Sequence, residues 1–489
     1  MADDTKSQTT VQNHIAGEWQ QPRGEPTTTV QNPATGDTLT HVHDSTTDDI
    51  ETAVTAGQTA FNTWRNTPVE ERIQPLFELK RLLEANQEDL AETLVREHGK
   101  TVAEAMGELR RGIQNVEVAC GIPSMMQAGH LPNAAPEIDE TAIRKPLGVF
   151  TAITPFNFPG MIPLWFLPYA VATGNAFILK PSEKTPMTAQ AIMDLVTEAG
   201  FPDDVVQLVH GGADTAKALI EHPGIEGVSF VGSTPIARHV YETAAKHGKR
   251  VQAQGGAKNH IVVAASADLE FAAEQTVGSA FANTGQRCLA NPVAVVEDEI
   301  YPEFAERVVE TATALQVGDG RVDGVDMGPL ISDEHRENVR SYIETGVEEG
   351  AELLLDGRDT TVPVAGSFLG PTIFGAVDPD ATIAREEIFG PVLSLIPATD
   401  FDEALTLVNR SAFGNAASLF TDRGRDAKRF RHEVDAGNLA VNAGTAAPMP
   451  FFHFGGWKDS FFGDLHAQGE DMIHFYTDKA IYIERWPDS

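Results

Sequence analysis

The sequence predicts an α/β fold built on parallel sheets, and three observations carry that reading. Short apolar runs alternate with helical patterns from residue 148 onward, and a second series of the same kind begins at residue 261. The 489 residues, 42% of them hydrophobic, are enough for two or three domains with sizeable cores. Strands separated by helices of about 10–15 residues imply βαβ units rather than hairpins.

Taken in order, the opening MADDTKSQTT has no basic stretch leading into an apolar one, so no secretory signal is expected. Residues 45–120 read as helices. Thr46 and Thr47 can cap the first, Pro68-Val-Glu-Glu71 opens another with proline near its start, and 104–120 forms one more. Segments 148–154, 176–179, 205–209 and 228–231 read as strands, with helices at 186–198, 214–221 and 235–246 between them. The second series holds strands at 261–263 and 292–296, then a helix from Tyr301. Segments 140–145 and 475–483 stand apart as exposed strands suited to pairing with another subunit.

Composition narrows the function. With 36 Lys and Arg against 71 Asp and Glu the net charge is −35, which disfavours nucleic acid and anionic membranes as partners. The apolar stretch 149–179 is broken by Pro155, Pro159, Pro163, Pro168 and Gly174, so no membrane helix is expected. Two cysteines exclude a disulfide framework and suit a reducing cytoplasm. No metal site is expected, because the 15 His and two Cys lack ligand spacings such as C-x-x-C or H-E-x-x-H. Acidity spread along the whole chain suggests a halophilic source, since dissolved salt screens such charge.

Four places carry chemistry. Cys288 follows a run, Phe281-Ala-Asn-Thr-Gly-Gln-Arg-Cys288, that reads as helical up to Gly285, and neighbouring Arg287 favours the nucleophilic thiolate. A buried small residue, as for Cys120, is the commoner case for a lone cysteine. Phe230-Val-Gly-Ser-Thr234 joins a strand to a helix whose free N–H groups suit a pyrophosphate, although Ala237 stands where a dinucleotide fingerprint has its third glycine. Lys180 and Glu183 sit at a strand's carboxyl end, where they suit ribose hydroxyls or simply form a solvated pair. Asn157, in a loop stiffened by Pro155 and Pro159, offers two amide donors for an oxyanion or serves only the loop.

Together the pieces resemble the aldehyde dehydrogenase superfamily over nearly the whole chain. The succession is Gly17-Glu-Trp19, Asn32-Pro-Ala-Thr-Gly36, Pro155-Phe-Asn-Phe-Pro159, Lys180-Pro-Ser-Glu183, Phe230-Val-Gly-Ser233, Gly285-Gln-Arg-Cys288 and Glu386-Glu-Ile-Phe-Gly-Pro391. The resemblance implies a Rossmann-type NAD-binding domain (1–128 and 147–255), an α/β catalytic domain (256–464) and a small β oligomerisation extension (129–146 and 465–489), assembling homodimers or homotetramers. It makes Cys288 the nucleophile and Asn157, with the Cys288 backbone N–H, the oxyanion donor. It gives Lys180, Glu183, Lys184, Ser233, Gly255 and Glu387 to the cofactor, and Thr154, Phe156 and Phe389 to its nicotinamide cleft. Glu183 favours NAD over NADP, because a carboxylate there competes with a 2′-phosphate.

One departure matters. Hydrolytic members carry a general-base Glu where this chain, in Gln252-Ala-Gln-Gly-Gly256, has Gln254, which cannot accept a proton. A thioester on Cys288 then lacks water activation, and a thiol acceptor is expected. The departure and the segments Gly256-Ala-Lys-Asn-His260 and Ala447-Pro-Met-Pro450 are similar to the CoA-acylating methylmalonate-semialdehyde dehydrogenase branch. That branch implies Arg111 and Arg287 as the substrate-carboxylate clamp, a task suited to a planar guanidinium. It implies a semialdehyde substrate and CoA as co-substrate. On helical periodicity alone Arg111 is better read as a surface ion pair. Two other readings stand beside this one: a water-using dehydrogenase of another semialdehyde, and a scaffold or esterase-like protein that has lost redox function.

Overall fold

The computed structural model describes residues 10–486. Residues 1–9, which carry most of the segment read as lacking a secretory signal, and 487–489, the end of the expected extension, lie outside the described residues.

Two parallel sheets organise the chain, each covered on both faces. In the first, five parallel strands run Val206–Leu208, Ala176–Lys180, Val149–Ile153, Ile225–Val231 and Arg250–Gln254 across the sheet. Strands Asn13–Ile15 and Glu18–Gln20 extend one edge antiparallel, and Phe461–Gly463 extends the other. Side-chain alternation explains why these runs read as continuously apolar. Phe150, Ala152, Phe177 and Leu179 face one core, under the helices Gln74–Ala85, Val102–Cys120 and Pro163–Thr173. Val149, Ile153, Ala176 and Ile178 face the other, under Thr47–Trp64 and Thr234–Lys246. Counted along the chain the five strands stand in the order 3-2-1-4-5, so the order reverses between Val149–Ile153 and Ile225–Val231. A crevice forms at the carboxyl ends there, where ligands bind in open α/β sheets.

The second sheet runs Glu352–Leu355, Thr372–Gly375, Val392–Ala398, Val293–Glu297, His260–Val263, Ala416–Phe420 and Asn438–Val441, parallel except for its first strand. A third, three-stranded antiparallel sheet joins His130–Ala135, Ile138–Pro146 and Thr477–Glu484. Among the described residues no helix is long and apolar enough to cross a membrane.

Local chemistry accounts for the boundaries. Thr46 closes a capping box with Asp49, so Thr46 rather than Thr47 caps the helix Thr47–Trp64. Thr101 does the same with Glu104, which starts the next predicted helix at Val102 instead of Glu104. The expected strand 475–483 is corrected. Phe475 and Tyr476 end the helix Gly469–Tyr476, their rings buried against Phe150, and the strand begins at Thr477. Phe461–Gly463, within the span expected for the catalytic domain, hydrogen-bonds into the first sheet.

The helical reading up to Gly285 is corrected as well. The regular helix Leu269–Phe281 stops four residues earlier, and Asn283, Thr284 and Gly285 turn left-handed with φ of 54°, 55° and 73°. A Cβ at Gly285 would overlap the Gly390 carbonyl, so only glycine passes there. A β-branched residue in this region is strained and persists where its surroundings hold it. Thr284 Oγ1 donates to the Gly328 carbonyl at 2.9 Å, and Asn283 N donates to Glu104 Oε1 at 2.5 Å.

Candidate active site

Cys288 leaves this left-handed turn at the meeting point of two cavities. One, of about 330 Å³, lies over the crevice of the first sheet; the other, of about 440 Å³, opens toward the helix Val102–Cys120. Among the described residues Cys288 is the one that borders both. Its carbonyl accepts from Asn259 Nδ2 at 2.8 Å and Asn415 Nδ2 at 2.7 Å, which locks the peptide of the thiol residue. Asn157 Nδ2 donates to the Gln286 carbonyl at 3.0 Å, so the proline-flanked loop and the Cys288 loop are tied together.

The thiol's charge departs from expectation. Arg287 pulls its pKa down, but burial dominates and pushes it up to about 11, with Glu387 adding to the rise. Cys288 is therefore a neutral thiol at neutral pH, and Arg287 alone does not make it a thiolate. Glu387 is likewise pushed up to about 7 by burial, although its Oε1 accepts the Ala257 N–H at 2.8 Å. Lys258 is buried with no hydrogen-bond partner for its Nζ, and burial brings it down to about 7 against the pull of Glu387 and Glu386.

The smaller cavity gathers most of the residues expected to meet a cofactor. Phe156, Glu183, Lys184, Ser233, Gly255, Glu387 and Phe389 all border it. Phe156 and Phe389 meet edge to face with centroids 5.9 Å apart, and Lys184 Nζ lies 5.5 Å from the Phe156 ring. Lys180 is buried, its Nζ 3.6 Å from Glu183 Oε2 and 2.9 Å from the Pro181 carbonyl, so the pair is not a solvated one. Ser233 stands exposed at the N-cap of Thr234–Lys246 and makes no side-chain cap bond, leaving its hydroxyl and the helix N-terminus free for an anion. Ala237, in place of a third glycine, is fully buried. Thr154, expected in the nicotinamide cleft, does not border the cavity, although Pro155 next to it does; its hydroxyl is buried with no hydrogen-bond partner among the described residues. A Cβ at Gly256 would overlap the Glu387 carboxylate. Paired rings, an anion-ready helix start and lining carboxylates at Glu183 and Glu387 fit a dinucleotide.

The larger cavity is walled by Phe158, Met161, Trp165, Leu289 and Phe454, with Arg111 and Arg287 as its cations. Arg111 Nη1 reaches Gln114 Oε1 at 3.3 Å and Met449 Sδ at 2.8 Å and has no carboxylate partner among the described residues, whereas adjacent Arg110 points outward to Glu84 and Glu117. The arrangement suits a short apolar chain ending in a carboxylate, with its reacting carbon at Cys288. Gln254, the last residue of its strand, is buried and donates to the Phe454 carbonyl at 3.3 Å. Motif reading did not single out Asn415, Glu104, Lys100 or Glu108. Asn259 lay in a quoted motif without a role. None has a local pattern that reports a partner remote in the chain.

Comparison with known proteins finds relatives over the whole fold. The model of the aldehyde dehydrogenase family matches residues 19–481. The chain is 47% identical over 478 residues to malonate-semialdehyde dehydrogenase 1 of Geobacillus thermodenitrificans, covering 98% of this chain and 99% of the relative. It is 46% identical to malonate-semialdehyde dehydrogenase of Halalkalibacterium halodurans, over 97% of this chain and 98% of the relative. Methylmalonate-semialdehyde dehydrogenase from Oceanimonas doudoroffii superposes with a TM-score of 0.97 at 40% identity, covering 98% and 99% of the two chains. A Sinorhizobium meliloti protein assigned to the same activity and solved with NAD superposes equally, at 0.97 and 39% identity, covering 99% of each chain.

Proposed function

The chain belongs to the aldehyde dehydrogenase family, and from that premise we propose that it oxidises malonate semialdehyde or methylmalonate semialdehyde with NAD and transfers the resulting acyl group to CoA. The observation that carries the reading is Cys288 bordering both cavities. A carbonyl carbon beside its sulfur lies between a two-arginine pocket and the dinucleotide crevice.

The residues then have these tasks. Arg111 and Arg287 hold the substrate carboxylate and aim the aldehyde carbon at Cys288. The Cys288 thiol loses its proton to solvent and its sulfur bonds to that carbon; the carbonyl electron pair moves onto the oxygen, and the Asn157 amide and the Cys288 backbone N–H stabilise the resulting thiohemiacetal oxyanion. NAD, when bound, supplies the acceptor for the hydride that leaves this carbon. Cys288 is left carrying a thioester; the β-carboxylate departs as CO2, and the carbon it leaves takes up a proton from solvent. The thiol of CoA attacks the thioester carbon, the Cys288 sulfur leaves and regains a proton as the CoA thiol gives one up, and the acyl group leaves as acetyl-CoA or propanoyl-CoA. Gln254 provides no base for water, which favours the thiol acceptor.

The test is NADH production from each semialdehyde with and without CoA, with product analysis. Acyl-CoA formed only with CoA supports the reading; free acid released at full rate without CoA overturns it in favour of the water-using alternative. The acidic surface supports salt adaptation, for which an unfolding temperature that rises with added KCl is the check. The free thiols of Cys120 and Cys288 support a cytoplasmic setting. Ile481 and Ile483, about 60% exposed on the three-stranded sheet, support a homodimer or homotetramer, measurable by light scattering.

A further inference from the structure

Beneath the loop that carries Asn157 lies an ion pair shut away from water on both sides. Lys100 Nζ is 2.5 Å from Glu108 Oε2, and neither side chain has any exposed surface. The same ammonium donates to the Asn157 backbone carbonyl at 2.8 Å and sits 4.3 Å from the centroid of the Phe158 ring. The other oxygen of Glu108 accepts from Gly160 N at 2.7 Å and Met161 N at 3.1 Å. The pair thus grips positions 157, 158, 160 and 161 from one side.

Stability is a weak reason for such a pair. Removing two charges from water is costly, and apolar replacements of similar size often serve a fold as well or better. The geometry has a more specific consequence. Asn157 is held at its carbonyl by Lys100, and at its side-chain amide by the Gln286 carbonyl, two residues before the nucleophile. Glu108 also lies on the helix Val102–Cys120 that carries Arg111, so the oxyanion amide is registered against the same rigid element as the carboxylate clamp.

We propose that Lys100 and Glu108 are positioning residues that hold the Asn157 amide in line with the oxyanion formed at Cys288. The inference rests on the reaction proposed above; Glu108 borders the larger cavity, but both its oxygens are bonded to Lys100, Gly160 and Met161, so the pair acts on the substrate through the loop it holds.

The experiment uses the double variant Lys100→Met/Glu108→Gln, which leaves no lone buried charge and keeps an amide oxygen for the Gly160 and Met161 N–H groups. Its kcat should fall by about 100-fold, the scale expected of a misplacement near 1 Å, while the KM for the semialdehyde, NAD binding and the iodoacetamide reactivity of Cys288 stay as in wild type. In an Asn157→Ala background the same double substitution should cost nothing further, because its effect passes through that amide. Glu108→Asp, which retains both charges and withdraws the carboxylate by one methylene, should lower kcat by about tenfold on the same positional argument. Wild-type kcat in either variant, or an undiminished further loss in the Asn157→Ala background, overturns the assignment. Wild type and Cys288→Ser are run alongside. If Cys288→Ser oxidises the aldehyde as fast as wild type, the reaction itself is misread, and the positioning role falls with it; if it does not, a failure in the variants concerns the pair alone.

Discussion

The side-chain amide of Asn157 donates to the backbone carbonyl of Gln286 at 3.0 Å, which couples the proline-flanked loop of one sheet to the nucleophile loop of the other. One amide proton is committed to that bond, leaving the second for a substrate oxygen beside Cys288. Removing an oxyanion donor typically costs about 2.7–4 kcal/mol of transition-state stabilisation. Asn157→Ala is therefore expected to slow the NADH burst by about 10²–10³-fold without weakening NAD binding. An unchanged burst removes Asn157 from the reaction.

The burial that pushes Cys288 up to about 11 sets a pH dependence. The thiolate is the reactive form, so in the free enzyme its fraction rises tenfold for each pH unit until the pH passes the thiol's own value. Alkylation by iodoacetamide should still be climbing at pH 9 and level off only near pH 11. A plateau below pH 8 would mean that a neighbouring group ionises the sulfur before substrate or cofactor arrives.

Arg110 and Arg111 are adjacent in sequence and face opposite ways. Arg111→Ala is expected to raise the KM for a semialdehyde carboxylate by about 10–100-fold, the scale of a lost charge-assisted hydrogen bond of about 1.5–3 kcal/mol, and to leave a neutral aldehyde of similar length nearly unaffected. Arg110 is exposed and paired with Glu84 and Glu117, so Arg110→Ala should change neither. Equal losses on both substrates would assign Arg111 a structural task.

Gln254 ends its strand between the cavities: Gly255, next in the chain, borders one, and Phe454, to which Gln254 is bonded, borders the other. Gln254→Glu puts a proton acceptor at this point. Since general-base assistance contributes about 10²–10⁴-fold, release of free acid in the absence of CoA should rise by at least about tenfold. Free-acid release that stays at the wild-type level would place the barrier to hydrolysis somewhere other than residue 254.

Much of the architecture was legible in one dimension because its causes are local. The helix Pro186–Glu198 matches its predicted span, and the four predicted strands of the first sheet fall within a few residues of theirs, since alternating burial and capping residues act over a few positions. Cys288 and Asn157 came into view through their own short segments, whereas Glu387, and Arg287 and the helical Arg111 as a clamp, did so only through the family resemblance. Phe475 and Tyr476 were misread because their alternation suits a strand, while Phe150, more than 300 positions away, supplies the core that buries them as helix.

Residue order thus specified the two parallel layers and the thiol with its flanking turn, all of them consequences of forces reaching a few ångströms along the chain. The charge on that thiol, the outward turn of Arg110 against the inward turn of Arg111, and the hold of Lys100 and Glu108 on the oxyanion loop arose only once distant segments closed around one another. Desolvation and hydrogen-bond geometry depend on what surrounds an atom in space, and no stretch of sequence contains that by itself.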